Sequence, residues 1–123
     1  MVILIFERSQ QITERLIGLI SETIRGISFR KANTYKEALE LLGEYNPQAV
    51  LLDLDFPDDT AISLLQAIKG SGNQTVAIVL YTMADQQKIK LFEENGADFM
   101  FDKYHEFEKI PGVIMDIPGS KKG

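Results

Sequence analysis

The sequence predicts an α/β fold: a doubly wound parallel sheet of five strands with helices on both faces. Three observations predict it. Short apolar runs recur at positions 2–6, 27–32, 49–54, 76–81 and 98–102. Between them lie longer stretches with apolar residues at helical spacing, separated by turn residues. Strands that read as nearly continuous apolar runs are those buried on both faces, which is the condition of a parallel sheet between helical layers.

Each element has its own signal. Positions 2–6 are apolar throughout and read as a buried first strand. In 10–23, Ile12, Leu16, Leu19, Ile20 and Thr23 fall near helical spacing. At 27–32, Ile27, Phe29 and Lys31 alternate with Ser28, Arg30 and Ala32, a weaker strand expected at an edge. Thr34, with Glu37 three residues on, is a capping box for a helix over 35–45, and Pro47 stops it. The clearest strand, 49–54, ends in Asp53-Leu54-Asp55. Asp59 or Thr60 then caps a helix through Ile68, with Ile62, Leu65 and Ile68 on one face. Gly70-Ser71-Gly72-Asn73 is a turn, and 76–81 a fourth strand. A helix over 85–95 with Ile89 and Phe92 inward ends at Gly96 as a left-handed cap. A fifth strand occupies 98–102. Pro111-Gly112 and Pro118-Gly119 then leave room only for a shortened last helix. Right-handed crossovers restrict such a chain to the flavodoxin-like strand order 2-1-3-4-5. One domain is expected over 1–123, with its core at about 2–114 and a short C-terminal tail.

Composition narrows the function. With 123 residues there is enough chain for one domain and a proper core. No cysteine is present, which removes disulfides, thiolate nucleophiles and cysteine-ligated metals and suits a reducing compartment. The net charge of −5 and pI near 4.8 repel phosphate backbones, so no direct nucleic-acid partner is expected. The longest apolar run falls far short of the ~20 residues of a membrane span and lacks a basic leader. The expectation is a cytoplasmic protein with no membrane partner.

Open α/β sheets bind ligands beyond the carboxyl ends of their strands. That edge collects Glu7 and Arg8, then Asp53 and Asp55, then Tyr81 and Thr82, and finally Lys103. Acids, a hydroxyl and a lysine on one edge are the chemically useful group; any one alone means little. His105, the only histidine, reads as a surface residue, and Tyr45, Phe92, Phe99, Phe101 and Phe107 read as packing.

The run Ala49-Val-Leu-Leu-Asp53-Leu-Asp-Phe-Pro57-Asp resembles the phosphoacceptor segment of CheY-like response-regulator receiver domains. Gly96-Ala-Asp98-Phe-Met-Phe-Asp-Lys103 resembles the segment leading to that family's lysine. The resemblance covers about residues 2 to 110. It implies two-component phosphorelay signalling, with Asp53 accepting a phosphoryl group from a histidine kinase or phosphotransfer protein. By the same resemblance Lys103 pairs with the phosphoryl oxygens, and a hydroxyl after the fourth strand acts as the switch. Mg²⁺ is implied at Glu7, Asp53 and the backbone carbonyl of Asp55. Output is implied through a downstream protein or a homodimer, over the face at about 85–114, without turnover catalysis.

Two departures stand out. The family carries two adjacent acids after its first strand. The inward face of the first helix puts Glu7 at the first and Arg8 at the second, and a one-residue shift gives Phe6 and Glu7. One acid is missing in either register, and a fixed positive charge at Arg8 weakens Mg²⁺ binding. Arg8 is also a candidate counterion for Asp53 or Asp55. Counting back from Gly96 puts Tyr81 at the switch position, whereas a one-residue deletion puts Thr82 there; both stay open. Tyr104 stands where the family usually has proline. Two other readings accompany the main one: a pseudo-receiver that binds partners without phosphorylation, and a haloacid-dehalogenase-like phosphohydrolase suggested by Asp53-x-Asp55. A cap and substrate pocket have little chain available, and Pro57 sits where that hydrolase motif continues toward threonine.

Overall fold

The computed structural model describes residues 1–70, 72, 74–119 and 121–122, the last two by their backbone alone. Among the described residues five strands form one parallel sheet: β1 (Val2–Phe6), β3 (Ser28–Lys31), β4 (Ala49–Asp53), β5 (Val76–Tyr81) and β6 (Phe99–Asp102). Their spatial order is β3-β1-β4-β5-β6, which is the expected 2-1-3-4-5 once the short β2 (Ile24–Arg25) is set aside. The 27–32 strand does lie at an edge, and its residues between 28 and 31 are only partly covered.

Alternation along each strand splits the core in two. Ile3, Ile5, Leu51, Ile78, Leu80 and Phe101 face α1 (Gln10–Thr23) and α5 (Ile110–Met115). Leu4, Phe6, Val50, Leu52, Ala77 and Val79 face the layer of α2 (Tyr35–Tyr45), α3 (Thr60–Gly70) and α4 (Gln86–Glu94). β4 is central and wholly buried, which is why its five residues AVLLD contain four hydrophobes and a single carboxylate at the carboxyl end.

The caps follow the sequence closely. Thr34 accepts from Glu37 N–H at 3.1 Å, and its hydroxyl donates to Glu37 Oε1 at 3.1 Å. Asp85 caps α4 through Lys88 N–H at 2.7 Å. Gly96 adopts φ +102°, and a Cβ there would lie 2.8 Å from Lys69 Cγ, so glycine is required twice over.

Several expectations shift. In α3 the buried side chains are Ala61, Leu64, Leu65 and Ile68, while Ile62 is only half covered. In α4 only Phe92 is buried and Ile89 is half covered; Phe99 is 40% exposed and stacks on Phe101 with ring centroids 6.0 Å apart. The core passes 114, since Ile117 packs into it. Within the tail, β7 (Lys121–Lys122) pairs antiparallel with β2. The shortened last helix is observed: α5 has six residues, preceded by a 3-10 turn at Phe107–Lys109. Of the turn expected at 70–73, Ser71 and Asn73 lie outside the described residues.

Candidate functional site

Register carries the chemistry to one edge. Phe6 is level with Leu52, Asp53 with Leu80 and Tyr81 with Asp102, so the residues following each strand meet beyond the same end of the sheet. Lys103 N–H donates to the Tyr81 carbonyl at 2.8 Å, and Leu54 N–H to the Leu80 carbonyl at 2.9 Å. These bonds hold the two ends of the site in depth.

Three charged side chains are buried there. Asp53 is 0% exposed, Lys103 4% and Glu7 5%. Buried charge is tolerated when paired. Lys103 Nζ lies 2.8 Å from Glu7 Oε1, 3.0 Å from Asp53 Oδ1 and 4.0 Å from Asp55 Oδ2. Asp53 Oδ1 also accepts from Asp55 N–H at 2.8 Å. Asp53 Oδ2 accepts from Arg8 Nε–H at 3.1 Å and Arg8 N–H at 3.3 Å. Each oxygen of the carboxylate thus has two donors. Glu7 Oε2 accepts from Ser9 N–H at 2.8 Å.

Protonation follows from these contacts. Burial pushes the Asp53 carboxyl up, yet the hydrogen bonds from Lys103 and Asp55 N–H, the Lys103 charge and Arg8 outweigh it and hold its pKa below the ordinary value. At Glu7 burial wins over Lys103 and Ser9, and the pKa is raised. Burial lowers Lys103, but Glu7 and Asp53 outweigh it, so the ammonium is held above its usual range. Asp53 is therefore an anion at neutral pH, the form a nucleophile requires.

The switch candidates separate. Thr82 Oγ1 donates to Asp55 Oδ2 at 3.0 Å, and Thr82 lines a cleft of about 330 Å³ with Glu7, Arg8, Ser9, Ile12, Asp55, Lys103 and Tyr104. Tyr81 does not line that cleft. It packs against the opposite core layer, the one that includes Val79, because residues 79 and 81 share a face. Geometry favours the one-residue deletion that brings Thr82 to the site.

Arg8 pairs with Asp53, so its counterion reading is the one observed. Its guanidinium carbon lies 5.9 Å from the Phe56 ring centroid, and Phe56 stacks on Phe6 with centroids 3.9 Å apart. The sequence reading did not single out Phe56 or Ser9. Ser9 accepts from Ile12 N–H at 3.2 Å as the cap of α1, a role its position before an amphipathic run advertises. Phe56 carries no comparable local signal.

A divalent cation fits this pocket poorly. Among the described residues no three acidic or histidine side chains are grouped to hold one. Of the expected side-chain ligands, the Glu7 carboxylate is committed to Lys103 and Ser9, and the Asp53 carboxylate is capped by Lys103, Arg8 and Asp55 N–H. A guanidinium stands where a second carboxylate was wanted.

Not all of the Gly96–Lys103 motif belongs to the site. Asp98 binds Lys69 Nζ and accepts from Ala77 N–H at 2.8 Å, at the opposite end of the sheet. His105 is exposed and sits 3.2 Å from Asp102. Among the described residues no helix is long and apolar enough to cross a membrane.

Comparison with known proteins agrees with this fold. The profile of the response regulator receiver domain family matches residues 3–114. The chain is 27% identical over 112 residues to the sensory transduction protein LytT of Enterococcus faecalis, covering 91% of this chain and 46% of that one. It spans less than half the length of the curated relatives it matches. The signal receiver domain of the DNA-binding response regulator merR from Colwellia psychrerythraea superposes with TM-score 0.81 at 20% identity, over 93% of this chain and 97% of that one. The Mn²⁺-bound form of response regulator Rcp1 superposes with TM-score 0.79 at 18% identity, over 99% and 98%. These structures share the fold.

Proposed function

The chain belongs to the response regulator receiver domain family of two-component systems, and from that premise we propose that it is a working receiver that accepts a phosphoryl group on Asp53. The observation that carries this reading is the buried anion itself. Asp53 is held below its ordinary pKa by Lys103, at the strand edge where ligands of open α/β sheets bind.

In the step proposed, a carboxylate oxygen of Asp53 attacks the phosphorus of a phosphohistidine on a histidine kinase or phosphotransfer protein. The O–P bond forms, the N–P bond breaks, and its electron pair stays on the imidazole, which takes a proton from water. Lys103 is positioned to pair with the new phosphoryl oxygens as a point charge. Thr82, already bonded to Asp55, is the hydroxyl that would turn toward them. One transfer and one hydrolysis per signal is stoichiometric signalling rather than turnover catalysis.

Readout by protein contact, with a downstream target or a second copy, is supported by the surface beside the site. Met83, Leu91, Phe99 and Tyr104 are large exposed hydrophobes in or next to the 85–114 face. The receiver unit is read as residues 1–123.

A second reading, the pseudo-receiver, is favoured by one observation: Asp53 is fully enclosed, with both oxygens occupied. Intact mass after incubation with a phosphohistidine donor discriminates the two. A gain of one hydroxylamine-labile phosphoryl group, absent in Asp53→Asn, is expected. No gain in a folded protein with its kinase would move the reading to a phosphorylation-independent binding module.

A further inference from the structure

We propose that Arg8 is the resident counter-cation of this site, taking the electrostatic place of a divalent metal by covering Asp53 at rest and pairing with the phosphoryl group after transfer. The inference rests on the phosphoacceptor reading and deepens it.

Charge bookkeeping is the first support. Around Asp53 stand the carboxylates of Glu7, Asp53 and Asp55 and the cations of Lys103 and Arg8, a formal net charge of minus one. A carboxylate in place of Arg8 together with a bound divalent ion would contribute plus one, and so does Arg8 alone. The pocket reaches the same net charge without a metal, and a divalent ion added to it would meet two fixed cations.

Position is the second support. Arg8 engages Asp53 Oδ2, while the buried Lys103 and Asp55 N–H hold Oδ1. Once the guanidinium moves, Oδ2 keeps only the Arg8 backbone N–H at 3.3 Å, so it is the oxygen more open to attack. The Arg8 side chain is 49% exposed, so it can move without breaking the core, and it lies beside Phe56, itself stacked on Phe6. Among the described residues no partner engages its terminal nitrogens, which leaves a planar fork for two phosphoryl oxygens.

The consequence is phosphorylation that does not need a metal. The experiment follows intact mass with phosphoramidate as donor, in Mg²⁺ or in EDTA, for the native chain, Arg8→Gln and Arg8→Asp. A Mn²⁺ titration read by paramagnetic broadening of amide signals near Asp53 runs alongside. Expected are native labelling equal within about twofold in the two buffers and a loss on the order of 10²-fold in Arg8→Gln. Arg8→Asp should label only with Mg²⁺ and gain Mn²⁺ broadening that the native chain lacks. Native labelling that requires Mg²⁺, or Mn²⁺ broadening in the native chain, overturns the inference while Asp53 remains the acceptor. A folded native chain that takes no label in either buffer overturns the phosphoacceptor reading and this one with it.

Discussion

Two lysines, one at each end of the sheet, make the same kind of bond to opposite ends. Lys103, beyond the carboxyl end of β6, is 4% exposed and faces Glu7, Asp53 and Asp55. Lys69, at the end of α3, is 27% exposed and binds Asp98 and the Thr75 carbonyl, the latter at 2.9 Å. Lys69 has one carboxylate and solvent close by, so its pair is a clasp between α3 and the start of β6. Lys103 has more carboxylates than it can neutralise and little water, so its surroundings stay poised for another charge. What separates a structural ion pair from a reactive one here is charge surplus under burial, with residue type held constant.

The sharpest way to break the comparison is to remove each lysine's charge. Lys103→Met leaves Glu7 and Asp53 buried without their shared cation and is expected to cost about 3–5 kcal/mol in urea unfolding. Adding Glu7→Gln should recover part of that loss; no recovery would mean the three do not act as one network.

Asp98→Ala tests the clasp. The half-exposed pair itself is worth at most about 1 kcal/mol, and the orphaned Ala77 N–H raises the expected loss to about 1–3 kcal/mol. Phosphoryl uptake at Asp53 should not change, because Asp98 touches nothing at that end. Gly96→Ala, which forces a Cβ at φ +102° against Lys69 Cγ, is expected to cost about 1–2 kcal/mol by the same denaturation assay.

The smallest effect is in pH, and it sharpens the contrast. Asp53 lies below its ordinary 3.8, so its contribution to stability is full above that value and is lost as acid protonates it. Glu7 lies above its ordinary 4.5, so its ionisation opposes folding at neutral pH, and that cost is relieved as pH falls through its folded value. Lys103 lies above its ordinary 10.5, so its share is full below that value and disappears as pH rises through the folded one. Stability measured from neutral pH downward should stay flat or rise slightly, then fall below about pH 4. In Glu7→Gln the slight rise should vanish.

Much of this was legible in the chain. Alternating β-rich and helical patterns dictated the sheet and its order, since strands buried on both faces need unbroken apolar runs. Thr34 and Gly96 marked their helix ends because capping is local chemistry. Asp53 and Lys103 could be paired because each sits at a strand end and the register aligns those ends. Asp98 was read with the motif, although it serves the far end of the sheet.

What only the tertiary structure decided were relations between distant segments whose local signals are weak. Thr82 rather than Tyr81 reaches the cleft because the parity of β5 turns Tyr81 to the other layer. Arg8 closes on Asp53, 45 residues away, and lies beside Phe56. The tail pairs with β2 across nearly the whole chain. Periodicity and capping are functions of a few neighbouring residues, so one sequence determines them. Charge neutralisation at a buried site depends on which side chains packing brings within a few ångströms, and only the folded chain sets that.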